Sequence, residues 1–312
     1  MNFQQLQYIV AVDAHRHFVT AAEKCFVTQA TLSMMIRKLE DELDVKIFDR
    51  TKHPVVPTEI GVRIIAQAKI VLAELGRIGE MAREMSSMHK GELRIGIIPT
   101  LAPYLLPRFL ANFLRNYPEI KLQIHELTTE EIVSRLKHSE LDAGLLAIPL
   151  YDKDLVEENL FVEEFVLYSS VKSSRLNKKY ILPADLDIEK LWLLEEGHCL
   201  RNQVINLCAL KGHERSIHRF DLSAASIETI RKVVDVNDGM TVIPALALLD
   251  LPHGMKNRLY YFKPPAPVRR IGLVSFRYFV KEKMLQALKS ELLNSIPDQM
   301  KSEKNKQVIE LK

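Results

Sequence analysis

The chain has 312 residues, 47% hydrophobic and 27% charged, which is long enough for two or three well-buried cores and unlike a disordered or fibrous protein. Its net charge of +3 and pI near 8.6 are mildly basic, which neither requires nor forbids a nucleic-acid partner. No apolar run is long enough to span a bilayer and no secretory signal is evident; with only three cysteines, this points to the reducing cytoplasm and no membrane partner.

The first fifty residues predict three short helices. Phe3, Leu6, Ile9 and Val10 form one apolar stripe. Thr20-Ala21-Ala22-Glu23 matches a capping box at the start of the second helix, and Thr28 is placed to cap the third. In that third helix Leu32, Ile36, Leu39 and Leu43 share a face, while Gln29, Thr31, Ser33 and Arg37 offer side chains able to reach base edges and phosphates. Residues 46–57 read as a short β-wing carrying Arg50 and Lys52 near its tip. A short capped helix leading into a longer one is helix-turn-helix architecture, so an all-α winged helix-turn-helix domain binding double-stranded DNA is expected over 1–57. Charge does not separate this from a plain helical bundle, because Glu40, Asp41, Glu42, Asp44 and Asp49 nearly cancel the nearby bases. Cys25, in the second helix, reads as structural.

A long helix follows over 58–88. Ile64, Ala68, Val71, Leu75, Ile78, Ala82 and Met85 recur in steps of four and three, a coiled-coil seam. Gly76 and Gly79 each cost about 1 kcal/mol of helix propensity, so pairing is expected to hold the helix. The simplest partner is a second copy, which makes 58–90 a linker and dimerisation helix with its seam at Ile64, Val71, Leu75 and Ile78. The plainer alternative is a helix packed on its own domain.

From Gly91 the pattern alternates strands and helices. Strands are predicted at 93–98, 120–124 and 143–148, with a helix over 105–117 and another capped by Thr128 or Thr129. A second set lies at 165–169, 191–194, 217–222 and 241–243. A last strand near 271–274 and a helix over 280–295 return to the first set. Such alternation predicts parallel, doubly wound sheets. The fold class is therefore α/β after an all-α start, with an effector part over 91–300 made of two doubly wound subdomains, 91–162 with 268–300, and 163–267. Thr100 and Thr129 lie in loops expected to face the cleft at the strand ends, although each alone is more simply a helix cap. The polar residues from 298 on read as loose, with 301–312 left as a tail.

Two of the three cysteines fall within one short stretch of this effector part. Residues 191–194 read as a strand, and Val204, Leu207 and Leu210 recur at helical spacing, so Cys199 is expected at a helix start. Unpaired N–H groups there favour an anion, and His198 and Arg201 add positive charge, so the thiol is expected to ionise readily. A cysteine of pKa about 8.5 is only a few per cent thiolate at pH 7, against roughly nine-tenths at a pKa of about 6. Cys208 is nine residues on, which along an intact helix is about 13.5 Å of rise and about half a turn away. A disulfide needs Cα atoms roughly 4.4–6.8 Å apart, so helix and disulfide exclude each other. The plain alternative is two core cysteines. A metal site using Cys199, Cys208, His213 and His218 is less favoured because no short Cys-x-x-Cys pair is present, and no metal or cofactor is expected.

The order of residues also resembles a known family. Phe18-Val19-Thr20-Ala21-Ala22-Glu23, Val27-Thr28-Gln29-Ala30-Thr31-Leu32-Ser33, Ile36-Arg37-Lys38-Leu39-Glu40-Asp41-Glu42-Leu43 and Phe48-Asp49-Arg50 look like the LysR-type transcriptional regulators. So do Tyr104-Leu105-Leu106-Pro107, Leu141-Asp142-Ala143-Gly144 and Gly239-Met240-Thr241-Val242-Ile243-Pro244. The pattern departs at Met34, where many members carry arginine, and at Asp44, where glycine is usual. Gly197-His198-Cys199-Leu200-Arg201, with Cys208 beyond, is similar to the peroxide-sensing members of the family. What the resemblance implies is a cytoplasmic regulator rather than an enzyme, with periplasmic-binding-protein-like effector subdomains and a dimer of dimers working with RNA polymerase. Hydrogen peroxide is then held by Thr100, Thr129, His198 and Gln203. Cys199 and Cys208 form a disulfide supported by Arg201, His218 and Arg219, and glutaredoxin or thioredoxin resets it. A family member answering a small metabolite in the cleft, and a thiol peroxidase, remain as alternatives.

Overall fold

In the computed structural model, which describes residues 1–84, 90–171, 176, 178–208, 226–277 and 281–310, a closed capping box starts the first helix. Asn2 accepts from the Gln5 backbone N–H while Gln5 accepts from that of Asn2. The chain divides into two units, Met1–Ser86 and Ser87–Lys312.

The first unit runs α1 (Phe3–His15), α2 (Phe18–Lys24), α3 (Gln29–Leu43), a two-stranded wing of β1 (Phe48–Asp49) and β2 (Val56–Pro57), and α4 (Glu59–Glu84). Helix α2 does not open at Thr20. His17 caps it, Nδ1 accepting from the Thr20 N–H at 3.4 Å, which places Thr20 inside the first turn. Thr28 caps α3, its Oγ1 accepting from the Thr31 N–H at 3.2 Å. Asp44 ends α3 with φ of 52°, a left-handed conformation that aspartate tolerates and glycine adopts freely. Ile9, Val12, Leu32, Ile36, Leu39 and Ile47 fill the core. Glu40 is buried among them, accepting from the N–H groups of Ile47 (2.8 Å) and Phe48 (3.2 Å) and from Arg50 (3.0 Å), so one carboxylate ties the wing to α3.

The expected seam on α4 splits in two. Ile64 and Val71 pack against the unit's own core beside buried Ile65 and Ala68, so those two need no partner chain. Further along, Leu75 and Ile78 are 39% and 67% exposed. The Ala82 side chain and Met85 lie outside the described residues.

The second unit is built on the strand order β4-β3-β5-β9-β6-β7, using β3 (Gly91–Ile97), β4 (Ile120–Glu126), β5 (Ala143–Ile148), β6 (Leu155–Ser169), β7 (Met240–Pro244) and β9 (Ala266–Phe276). Two short strands join it, β8 (Leu259–Tyr261) on β6 and β10 (Lys306–Val308) on β9. Its helices are α5 (Ala102–Asn116), α6 (Thr129–Lys137), α7 (Cys199–Leu207), α8 (Ile227–Val236) and α9 (Glu282–Ser295). Strand β3 lies parallel to β4 and β5, as the alternation predicts. The sheet is nevertheless mixed, because β9 is antiparallel to both β5 and β6, and β6 is antiparallel to β7. With 15 and 11 residues, β6 and β9 are long enough to serve both halves. A strand arriving from the other half makes no local crossover and so escapes the rule that keeps βαβ strands parallel.

Two further expectations change. Residues 191–194 are buried or nearly so but make no strand: Leu191 bridges Met240, and the Trp192 N–H donates to the Met240 carbonyl at 2.8 Å. The tail is not loose over 306–310. Strand β10 pairs in parallel with Ala266 to Val268, and the Ile309 N–H donates to the Val268 carbonyl at 2.8 Å. The strand predicted at 217–222 and the start of the last helix at 280 lie outside the described residues.

Candidate functional site

Because β3 and β4 run parallel, the segments leaving their carboxyl ends emerge at one edge of the sheet. The turn after β3 carries Thr100, and α6 starts at Thr129 behind its cap, Thr128. Gly197 brings the start of α7 to the same place. Its φ of +92° suits glycine, and a Cβ there would lie 4.0 Å from the Thr128 methyl. Helix α7 then begins at Cys199 and ends with Cys208 as its C-cap; all three cysteines are free thiols.

The thiol feels a charge that the sequence did not advertise. Arg269 on β9 is fully buried, its Nε donating to Glu163 at 2.8 Å, and Glu163 is fully buried too. Its other nitrogens donate to the Thr100 hydroxyl (2.8 Å) and carbonyl (3.1 Å). The second Glu163 oxygen accepts from the Leu246 N–H at 2.8 Å. Such a pair is tolerable only because hydrogen bonds satisfy the charges on both sides. The available signal was a charged residue inside each of two apolar runs, 161–167 and 266–274.

The thiol's ionisation goes against the expectation. Burial pushes the Cys199 thiol up, and the Arg269 charge, the Thr129 hydroxyl and the backbone at Leu200 and Cys199 itself pull it back only in part. The pull of a helix start is present, but desolvation outweighs it. The charge acting on the thiol is that of Arg269 rather than Arg201, whose guanidinium donates to the Leu194 carbonyl at 2.9 Å. His198 is buried with Nε2 3.6 Å from a Glu195 oxygen. At the other end burial pushes the Cys208 thiol up to about 12. His213, His218 and Arg219 lie outside the described residues.

Helical spacing puts Cys199, Gln203 and Asn206 on one face of α7, with Cys208 on the opposite face. Leu200 and Val204 are buried and anchor the helix to the core. Gln203 is fully buried and donates from Nε2 to the Ile309 carbonyl at 3.1 Å. A carbonyl can only accept, so the Gln203 amide is fixed with its oxygen turned away. That Oε1 is buried without a partner. The buried Thr129 hydroxyl lies against the Cys199 thiol and helps to lower its pKa. Thr100 accepts from Arg269 and keeps its own proton to donate. The site thus offers a thiol, a guanidinium whose charge acts on it, two hydroxyls and an unpartnered amide oxygen.

The first unit presents a different surface. On α3, Gln29, Ala30, Met34, Arg37 and Lys38 are exposed, as is Lys52 on the wing. Four expected DNA-contacting residues are engaged within the protein. Thr28 and Thr31 bond each other at 2.9 Å, and Ser33 accepts from Arg50 at 3.2 Å. Arg50 also neutralises buried Glu40 and lies 5.0 Å over the Phe18 ring, so a buried carboxylate has claimed this base. Met34, 62% exposed on the outward face, was not singled out for DNA contact.

Comparison with known proteins places both units. Residues 3–62 match the model of bacterial regulatory helix-turn-helix proteins of the lysR family, and residues 86–293 match the LysR substrate binding domain. The chain is 38% identical over 276 residues to the DNA-binding transcriptional dual regulator OxyR of Escherichia coli, covering 88% of this chain and 89% of that one. Among solved structures it resembles a full-length OxyR variant from Pseudomonas aeruginosa, with TM-score 0.75, 33% identity and coverage of 94% and 98%. A cysteine variant of Corynebacterium glutamicum OxyR with hydrogen peroxide bound matches with TM-score 0.61, 25% identity and coverage of 94% and 92%.

Proposed function

The chain belongs to the LysR family of bacterial helix-turn-helix regulators, and on that premise we propose that it senses hydrogen peroxide by joining Cys199 to Cys208 and so alters transcription at the DNA its first unit binds. The observation that carries this reading is the buried Gln203 Oε1 without a protein partner, one turn along from Cys199, with the Thr129 hydroxyl against the thiol itself. Hydrogen peroxide has two O–H donors and two acceptor oxygens, so it suits the Gln203 oxygen together with the Thr100 and Thr129 hydroxyls. A carboxylate metabolite, which only accepts, would leave the Gln203 oxygen unmatched.

The chemistry balances without a cofactor. The Cys199 sulfur attacks one peroxide oxygen, the O–O bond breaks, and the departing hydroxide takes the thiol proton and leaves as water. The Cys208 sulfur then attacks the sulfenic sulfur, the S–O bond breaks, and a second water leaves. Arg269 favours negative charge on Cys199 during the first step. The second step needs α7 to unwind, because nine residues of helix hold the sulfurs about 13.5 Å apart along the axis.

The proposal extends to the partners. Exposed Leu75 and Ile78 on α4 suit pairing with a second copy, and a dimer of dimers would place two such pairs on double-stranded DNA. Glutaredoxin or thioredoxin would reset the disulfide in the cytoplasm, and RNA polymerase would read the outcome. The test is peptide mass spectrometry after one equivalent of peroxide. A Cys199–Cys208 linkage is expected, together with loss of the transcriptional response in Cys199→Ser. Oxidation elsewhere, or an intact response in Cys199→Ser, would shift the reading to a metabolite-binding regulator, and steady peroxide turnover would shift it to a thiol peroxidase.

A further inference from the structure

The face of α7 that carries Cys199 is gripped from outside by the end of the chain. Gln203 and Asn206, four and seven residues after Cys199, donate their side-chain amides to consecutive carbonyls, those of Ile309 and Glu310, each at 3.1 Å. The gripping segment is itself anchored. Strand β10 lies in register on β9, the Ile309 N–H bonds the Val268 carbonyl at 2.8 Å, and the Glu310 carboxylate accepts from the Tyr151 hydroxyl at 3.2 Å. On β9, Arg269 follows Val268 directly, so the strand whose guanidinium acts on the thiol also carries the segment gripping the helix.

We infer that residues 306–310 are a strap that holds α7 in its helical, dithiol form and sets the acceptor oxygen of Gln203 toward the sensing site. The argument is one of exclusivity. Two carbonyls one residue apart reach Gln203 and Asn206 together only while those side chains stand on one face of an intact helix. Pulling Cys208 round to Cys199 destroys that face, so both hydrogen bonds are lost with the helix. The strap therefore stabilises the reduced state alone, and it fixes how readily the pair is oxidised. This inference rests on the disulfide switch proposed above.

The test is a redox titration of the full-length protein in glutathione buffers. There the protein dithiol and glutathione disulfide exchange two electrons and two protons to give the protein disulfide and two glutathiones. Ending the chain after Asn305 is expected to shift this equilibrium about tenfold toward the disulfide, which lowers the midpoint potential by about 30 mV. Asn206→Val, which leaves the strand in place, matches asparagine in helix propensity and cannot donate to the Glu310 carbonyl, is expected to shift it in the same direction by about two- to fivefold and carries the test if the shortened chain does not fold. Variant midpoints within twofold of wild type, with the wild type forming its Cys199–Cys208 bond, would overturn the strap alone. A wild type that forms no such bond would overturn the sensor reading and the strap with it.

Discussion

Helices α6 and α7 are both nine residues long and both begin beside Cys199, yet their ends are built differently. Helix α6 opens on a full capping box between Thr128 and Glu131, has Glu130 and Glu131 in its first turn, and closes on Arg135 and Lys137. Helix α7 has no side-chain cap at His198, no acid in its first turn and no base in its last. A cap is worth about 1 kcal/mol and terminal charges of the right sign add to it, so the ends of α6 are the more stable before packing is counted. A helix this short is marginal in isolation. What keeps α7 folded is therefore external: buried Leu200 and Val204, Arg201 on the Leu194 carbonyl, and Gln203 and Asn206 on the end of the chain. A helix held this way can be lost as one event, while its neighbour stays.

The largest expected effect concerns the two half-buried thiols at the ends of α7. Both are pushed up by burial, so at neutral pH each carries less thiolate than an ordinary cysteine, and alkylation should keep climbing above the usual midpoint of about 8.5. At pH 7 Cys208, pushed up to about 12, should react about a thousandfold more slowly with iodoacetamide in the native dithiol protein than in urea. Comparable rates in both conditions would mean that α7 is already open.

Next comes the support under the site. Arg269→Met strands the fully buried Glu163 charge and should cost about 3–5 kcal/mol of stability in urea denaturation. A loss below about 1 kcal/mol would mean that the site rests on something other than this ion pair.

The contrast between the helices is sharpened by a matched pair. Thr128→Ala removes the α6 cap and should cost about 1 kcal/mol of stability while leaving the Cys199–Cys208 midpoint in place. Asn202→Ala, at an exposed interior position of α7, should favour the helix by about 0.6 kcal/mol. That is about a threefold shift toward the dithiol and a midpoint about 15 mV more positive. If Thr128→Ala moves the midpoint as much as Asn202→Ala does, the two helices are coupled and the comparison fails.

What the sequence disclosed was periodic. The stripe Leu32, Ile36 and Leu39 marks α3, and the alternation of strands with helices after Gly91 marks the parallel pairing of β3 with β4 and β5. The start of α7 at Cys199 was legible from its spacing, because helix phase is a local property. What stayed hidden depends on distant neighbours. Arg269 meets Glu163 from 106 residues away and Thr100 from 169, and no local pattern announces such partners. The helix-start argument was sound for the Cys199 backbone and failed for its thiol, because desolvation sums over the surrounding protein. The end of the chain read as loose because Lys304, Asn305, Lys306 and Gln307 are polar. Its order comes instead from the edge of β9 and from the amides of α7.

The central claim is that a helical α7 and a bond between Cys199 and Cys208 cannot coexist. Amide hydrogen exchange over 200–207, followed in the dithiol and disulfide forms with α6 as internal reference, tests it directly. The account predicts that protection in α7 falls by at least about tenfold on oxidation while that of α6 holds. Equal protection of α7 in the two forms, with the disulfide verified by mass, would contradict it.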